Sequence, residues 1–307
     1  MAEPLRAFLE RTAVPSELVV ELLAEDAPLP EGPYVGLIPL ITRPVTAEAL
    51  DALPSLRVIA NYGVGTDNID VAAARARGIG VSNTPDVLTG ATAELAWALI
   101  LAVARRLPEA ERVARSGVWG GWRPTELLGM GLEGRTLGIV GAGRIGREVA
   151  RRAPAFGMGV LYTGRERSRD WERESGAEWR DLPELLEEAD VVSLHVSLTP
   201  QTRGLIGRDA LAGMKQGAIL VNTSRGAVID EDALAEALVE GRLRGAGLDV
   251  HAEEPLLHPR LRELPQVVLL PHIGSATEGA RHGMWEIAWG NLLRGVRHEA
   301  LLTPVAP

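Results

Sequence analysis

The stretch Thr136-Leu-Gly-Ile-Val-Gly-Ala-Gly-Arg-Ile-Gly-Arg147 constrains this chain more than any other. An apolar run of strand length enters a glycine-rich turn, and a helical pattern follows. Gly141, Gly143 and Gly146 have the G-x-G-x-x-G spacing of a dinucleotide-binding turn. Gly141 permits the tight strand-to-helix turn, Gly143 lets backbone approach a pyrophosphate, and Gly146 lets the helix pack on the sheet. The free N–H groups at the helix start then favour phosphate. A turn of this kind works only inside a βα layer, so the chain is expected to hold a parallel sheet with crossover helices.

The rest of the sequence agrees. Short apolar runs alternate with amphipathic helical patterns, the mark of βα units. In the first part, strands are expected at Tyr34–Ile41, Arg57–Ala60 and Ile79–Thr84, with Thr84 and Pro85 opening a long helix to about Arg106. Ser116 to Gly134 is rich in glycine and tryptophan and has no period, so it reads as a loop or arm. A second βα series starts at Leu137, with later strands at Gly159–Tyr162, Val191–His195, Ala218–Asn222, Gly245–Asp249 and Val267–Leu270. Helices are expected to about Arg152 and over Asp230–Glu240. A last helix, Thr277–Arg297, is expected to return to the first domain, because the second series closes at Pro271. With 307 residues, two domains are the default.

Composition narrows the partners. The net charge of −9, without a basic run, argues against nucleic acid and anionic membrane. There is no cysteine, which removes disulfides, thiolate metal sites and thiol nucleophiles, and no metal site is expected. The start, Met1-Ala-Glu-Pro-Leu-Arg, is not that of a signal peptide, and no apolar run reaches the roughly 18 residues of a membrane span. A cytoplasmic protein is expected. Lys215 is the only lysine among the 32 basic residues, an imbalance that a GC-rich genome explains.

NAD-specific turns present an acid about 20 residues downstream, at the end of the next strand. Here Leu161-Tyr-Thr-Gly-Arg165 ends without one, and Glu166 and Arg167 follow. Arg165 and Arg167 stand where a ribose 2′-phosphate would lie, and charge-assisted Arg–phosphate bonds are favourable. NADP(H) is therefore the expected cofactor, with NAD(H) possible through Glu166.

Three motifs lie at the ends of the later strands, where an open α/β sheet binds its ligands. They are Asn222-Thr-Ser-Arg225-Gly, Asp249-Val-His-Ala-Glu-Glu254-Pro and Pro271-His272-Ile-Gly-Ser275. Together they offer what hydride transfer to a 2-oxo acid requires. Arg225 can clamp the substrate carboxylate and polarise the adjacent carbonyl. His272 can give a proton to the developing alkoxide, and a neighbouring Glu254 would favour its imidazolium.

These motifs, in this order after the glycine turn and together with Asn61-Tyr-Gly-Val-Gly-Thr-Asp-Asn-Ile-Asp70, resemble the D-isomer-specific 2-hydroxyacid dehydrogenases. The likeness spans nearly the whole chain and is greatest to the glyoxylate/hydroxypyruvate reductases. It implies two Rossmann-like parallel-sheet domains. A dinucleotide-binding domain, residues 91–273, would be inserted into a discontinuous flavodoxin-like substrate domain, residues 1–90 and 274–307. The active site would lie in the cleft between them. Arg225, Glu254 and His272 would be the catalytic three, and Val64 and Gly65 would receive the substrate carboxylate. Asp249 would hold the nicotinamide carboxamide. Thr89, Arg144, Ile145, His195, Thr223 and Ser275 would line the cofactor. The Ser116–Gly134 arm, with Trp119 and Trp122, would make a homodimer.

Two departures touch the acidic motif. His251 replaces the more usual aromatic and, lying beside Asp249, reads as packing. Glu253 precedes Glu254, but the residue before the proline is the one the family uses. The reading is thus an NADPH-dependent reductase of glyoxylate or hydroxypyruvate. The alternative is an NAD-dependent D-2-hydroxyacid, phosphoglycerate or phosphite dehydrogenase, which the missing acid after Tyr162 disfavours. Ending at Pro307, the chain has no room for the regulatory domain of some phosphoglycerate dehydrogenases. Formate dehydrogenases place glutamine where Glu254 stands. A nucleotide-sensing corepressor keeps the same triad, but a short chain without a basic surface disfavours it.

Overall fold

The computed structural model describes residues 5–24 and 27–305, so the Met1–Pro4 stretch read above for a leader lies outside the described residues. The chain forms two compact units, Met1–Leu88 with Ala276–Pro307, and Thr89–Ser275. Strands β1 (Gly36–Leu37), β2 (Val58–Ala60) and β3 (Gly80–Ser82) belong to the first. The second holds β4 (Thr136–Val140), β5 (Gly159–Thr163), β6 (Glu178–Trp179), β7 (Val191–Leu194), β8 (Ile219–Asn222), β9 (Gly245–Leu248) and β10 (Val267–Leu269).

In the first unit the three strands run parallel in the order β1-β2-β3. β1 is shorter than its apolar run suggested. Pro39 has no N–H to extend the ladder, although its carbonyl accepts from the Tyr62 amide at 3.0 Å and Leu40 bridges Tyr62. The helix Glu278–Val296 packs on this sheet, capped by Thr277, whose hydroxyl accepts from the Ala280 amide at 3.2 Å. Two glycines allow the close approach: a Cβ on Gly36 would stand 2.4 Å from Leu292, and one on Gly295 would stand 2.4 Å from Val58. The C-terminal segment bonds along β3 in an antiparallel bridge, Ser82 to Pro304.

The second unit is a seven-stranded parallel sheet ordered β10-β9-β8-β7-β4-β5-β6. The chain steps outward from β4 to β6, then returns to the other side of β4 and proceeds to β10. That reversal makes a topological switch point between β4 and β7, the place where such sheets open a ligand crevice at the strands' carboxyl ends. The inner strands are buried on both faces. Helix Thr89–Ala104 covers β9, where glycine again sets the distance: a Cβ on Gly247 would meet Leu99 at 2.9 Å. β6 was not anticipated, because its two residues carry no period.

The helix start read at Thr84 and Pro85 is corrected. Asp86 has φ +69°, which interrupts any helix there, and the helix begins at Thr89. Thr84 is buried, and its amide donates to the Gly63 carbonyl at 3.0 Å. The same helix ends at Ala104, since Arg106 has φ +52° and a second helix, Leu107–Arg115, follows. The Ser116–Gly134 segment is built of turns and leaves Val118, Trp119, Trp122 and Leu128 exposed. No helix of the described residues is long and apolar enough to cross a membrane.

Candidate active site

The parallel register aligns the carboxyl ends of five strands. Val140 pairs with Leu194, Leu194 with Asn222, Asn222 with Leu248, and Leu248 with Leu269. One residue further on, Gly141, His195, Thr223 and Asp249 therefore stand in a single row. The glycine turn is fitted to that row. Gly141 has φ +100°, and a Cβ there would lie 2.7 Å from the His195 carbonyl carbon. Gly146 comes as close to the turn, with a Cβ position 2.2 Å from the Gly141 oxygen. Above Gly143 there is open space within 4 Å. Two buried polar atoms of the row, Thr223 Oγ1 and His195 Nδ1, have no hydrogen-bond partner among the described residues. An open glycine turn beside unpartnered polar atoms fits a polar dinucleotide. Arg144 and Ile145 open the helix that follows, and Thr89 opens the helix over β9.

His195 Nε2 shares a hydrogen bond of 2.8 Å with Ser193 Oγ. Burial of the ring pulls its pKa down to about 3, so it stays neutral over the ordinary range.

The three motif loops leave the strands beyond this row, and an Asn or Asp at a strand end orders two of them. After β8, Asn222 Oδ1 accepts from the amide and hydroxyl of Ser224, and Asn222 Nδ2 donates to the Arg225 carbonyl at 2.9 Å. Arg225 is half-buried, and its Nη1 donates to the Ser224 carbonyl. The turn passes so close to the next loop that a Cβ on Gly226 would fall 1.9 Å from the His251 carbonyl carbon. After β9, Asp249 is 1 % exposed and accepts the amides of Ile273 at 2.7 Å and Gly274 at 2.8 Å. Its backbone carbonyl also accepts the His272 amide at 2.8 Å. Thr92 completes the clamp by donating to the Gly274 carbonyl, one residue before Ser275. His272 itself has φ +54°. Burial pushes the Asp249 carboxyl up, against the pull of these amides and of the His272 charge.

The loops bring His272 and Glu254 together: Nδ1 lies 2.8 Å from Oε2, with the side chains 25 % and 27 % exposed. The other Glu254 oxygen accepts the His251 amide at 3.0 Å. Burial raises the Glu254 pKa, but the His272 bond and charge and the His251 amide outweigh it and hold the carboxyl below its usual range. A carboxylate that orients an imidazole in this way can support proton donation, and Nε2 is the imidazole nitrogen not engaged by Glu254. His251 packs as expected, buried with Nε2 on the Leu270 carbonyl. Glu253 makes no bond to His272.

At the end of β5, the two arginines differ. Arg167 grips Glu172 through Nε at 2.9 Å and Nη2 at 3.0 Å, while Tyr162 Oη accepts the Ser168 amide. The Arg167 hydrogen bond is the main cause holding the Glu172 carboxyl below its usual range. Arg165 is exposed, with no hydrogen-bond or ion-pair partner among the described residues. Sequence reasoning missed Glu172, because a carboxylate one helical turn into the next element looks like any solvated charge. Val64 and Gly65 lie in the other unit, on the loop after β2.

Residues 97–274 match the family described as D-isomer specific 2-hydroxyacid dehydrogenase, NAD binding domain. The glyoxylate reductase of Thermococcus litoralis is 53 % identical over 268 residues, which cover 86 % of this chain and 81 % of that one. Among solved structures, an NADPH-dependent glyoxylate/hydroxypyruvate reductase of Sinorhizobium meliloti, in complex with NADP and malonate, is 38 % identical with a TM-score of 0.82. The match covers 89 % of this chain and 84 % of that one. A D-mandelate dehydrogenase of Rhodotorula graminis is 35 % identical with a TM-score of 0.81, covering 90 % of this chain and 85 % of that one.

Proposed function

The chain belongs to the D-isomer-specific 2-hydroxyacid dehydrogenases, oxidoreductases with a nicotinamide-binding domain, and on that premise we propose that it reduces glyoxylate or hydroxypyruvate to the 2-hydroxy acid with NADPH. The observation that carries the reading is the His272–Glu254 pair at 2.8 Å on the same sheet edge as Arg225. With the dinucleotide bound at the glycine turn, its nicotinamide would supply the hydride. Gly141, Gly143, Gly146, Arg144 and Ile145 would hold its diphosphate, with Thr89, His195, Thr223 and Ser275 lining it and Asp249 receiving the carboxamide.

Arg225 would clamp the substrate carboxylate together with the amides of Val64 and Gly65. Its charge also draws electron density toward the carbonyl oxygen, where negative charge develops. His272, oriented by Glu254, would donate a proton to that oxygen and take it back in the reverse direction. Arg165 would meet a 2′-phosphate, since β5 ends at Thr163 without the acid that would repel it. Arg167 could join only by loosening its grip on Glu172. The exposed Trp119 and Trp122 support a homodimer through the Ser116–Gly134 arm.

The test is steady-state oxidation of NADPH, and of NADH in parallel, against glyoxylate and hydroxypyruvate. Turnover preferring NADPH is the expected result. Turnover preferring NADH would overturn the cofactor assignment alone. Binding of NADPH without turnover of either acid would overturn the substrate assignment.

A further inference from the structure

The loop after β2 is turned so that three successive carbonyls face the body of its own unit. Asn61, fully buried, donates through Nδ2 to the Gly65 carbonyl at 2.7 Å and reaches the Gly63 carbonyl at 3.4 Å. The Thr84 amide also donates to Gly63 O, at 3.0 Å. Asn83 Nδ2 donates to the Val64 carbonyl at 2.8 Å. Asn68 Nδ2, fixed on the Leu40 and Arg43 carbonyls, donates to Asn61 Oδ1 at 3.2 Å and so settles which way the Asn61 amide points. Because carbonyl and amide of a peptide unit point in opposite directions, carbonyls held inward leave the intervening amides outward. Among the described residues, no hydrogen bond is donated by the amides of Gly63, Val64, Gly65 or Thr66. Successive outward amides make a concave site for an anion.

We infer that Asn61 and Asn83 are positioning residues for the substrate carboxylate: by tying back the carbonyls of residues 63–65 they present the Val64 and Gly65 amides to it. This rests on the reading of that loop as the carboxylate receiver. The two asparagines do not touch substrate. They fix the peptide planes, and without them a carbonyl dipole is free to turn toward the anion and repel it.

Asn83 is the clean position to test, because its backbone is held independently of its side chain. Its amide donates to the Thr303 carbonyl, and its carbonyl accepts the Thr303 hydroxyl at 2.6 Å. N83A therefore removes one hydrogen bond and leaves the strand end anchored. The experiment measures KM and kcat for glyoxylate, the same for the uncharged analogue glyoxylamide, and the Kd for NADPH. The expected result for N83A is a glyoxylate KM raised about fivefold, the cost of one ordinary hydrogen bond. The glyoxylamide KM, kcat and the NADPH Kd should stay near the parent values. N61S, a smaller side chain that cannot span to Gly65, should give the same pattern more strongly. An unchanged glyoxylate KM in folded N83A overturns the inference, and so does equal loss for the charged and neutral substrates. If the parent enzyme itself does not prefer glyoxylate to glyoxylamide, the carboxylate reading of the loop has failed instead.

Discussion

Asp249→Asn separates a structural role from a cofactor contact at one residue. In the parent, both carboxylate oxygens accept buried amides, from Ile273 and Gly274, in a site 1 % exposed. Asparagine keeps the shape but sets an N–H against one of those amides and leaves the other with a neutral acceptor. A hydrogen bond to a charged group is worth about 1.5–3 kcal/mol, and stranding a buried donor costs about 1–3 kcal/mol. Relief of burying the Asp249 charge gives part of this back, so a net loss of about 3 kcal/mol is expected. At about 3 °C per kcal/mol for a unit of this size, the cofactor-free protein should melt about 9 °C lower. The clamp also holds His272 at φ +54°. A misplacement of about 1 Å there should cost about 100-fold in kcat. The assay is thermal unfolding by circular dichroism without cofactor, with steady-state kinetics on the same preparation. A cofactor-free variant melting within a degree of the parent would refute the reasoning and leave Asp249 acting on the nicotinamide alone.

Glu254→Gln should lower kcat for reduction about 100-fold, since His272 Nδ1 loses the carboxylate that orients it at 2.8 Å; an unchanged kcat would separate the two residues. Arg165→Ser should raise the Kd for NADPH about tenfold while leaving NADH nearly untouched, and Arg167→Ser should do less, being already paired with Glu172. Equal loss for both cofactors, measured by fluorescence titration, would remove these arginines from 2′-phosphate recognition. His195 stays neutral in the folded protein down to about pH 3, whereas the unfolded chain binds that proton from about pH 6.5 downward. Its contribution is therefore fully present above about pH 6.5 and is lost as pH falls toward 3. His195→Asn should flatten the decline of Tm between pH 7 and pH 5; a parallel decline in both proteins would contradict this.

Much of the fold was legible because its strands are buried on both faces and read as continuous apolar runs. The glycine turn was legible for a stronger reason, since Gly141 and Gly146 answer a contact or a backbone angle that no other residue satisfies. The helix start at Thr84 misled because threonine followed by proline has cap chemistry, yet Asp86 takes a left-handed conformation, φ +69°, that interrupts the helix. Arg165 and Arg167 looked alike in sequence, and only the fold showed that Glu172 holds one of them. β1 was overread, because apolar content says nothing of a proline's missing donor.

The residues that order the site were the least legible, and the reason is geometric. Asn61, Asn83, Asn222 and Asp249 each stand at or just past the end of a parallel strand, at β2, β3, β8 and β9. There the ladder stops, and the next peptide groups must find new partners or face solvent. A short amide or carboxylate side chain reaches the groups two to four residues on, as the Asn61–Gly65 and Asn222–Arg225 bonds do. In Asn83 and Asp249 it reaches a neighbouring strand's loop instead. Such a residue substitutes for the missing ladder and, in doing so, fixes the loop that carries a reactive group. Asparagine and aspartate are common in any loop, so composition alone cannot tell this role from an ordinary turn. What distinguishes it is that the strand end is also where the sheet opens to ligands, and there a turn's local bonding becomes the orientation of Arg225, of His272 and of the Val64 and Gly65 amides.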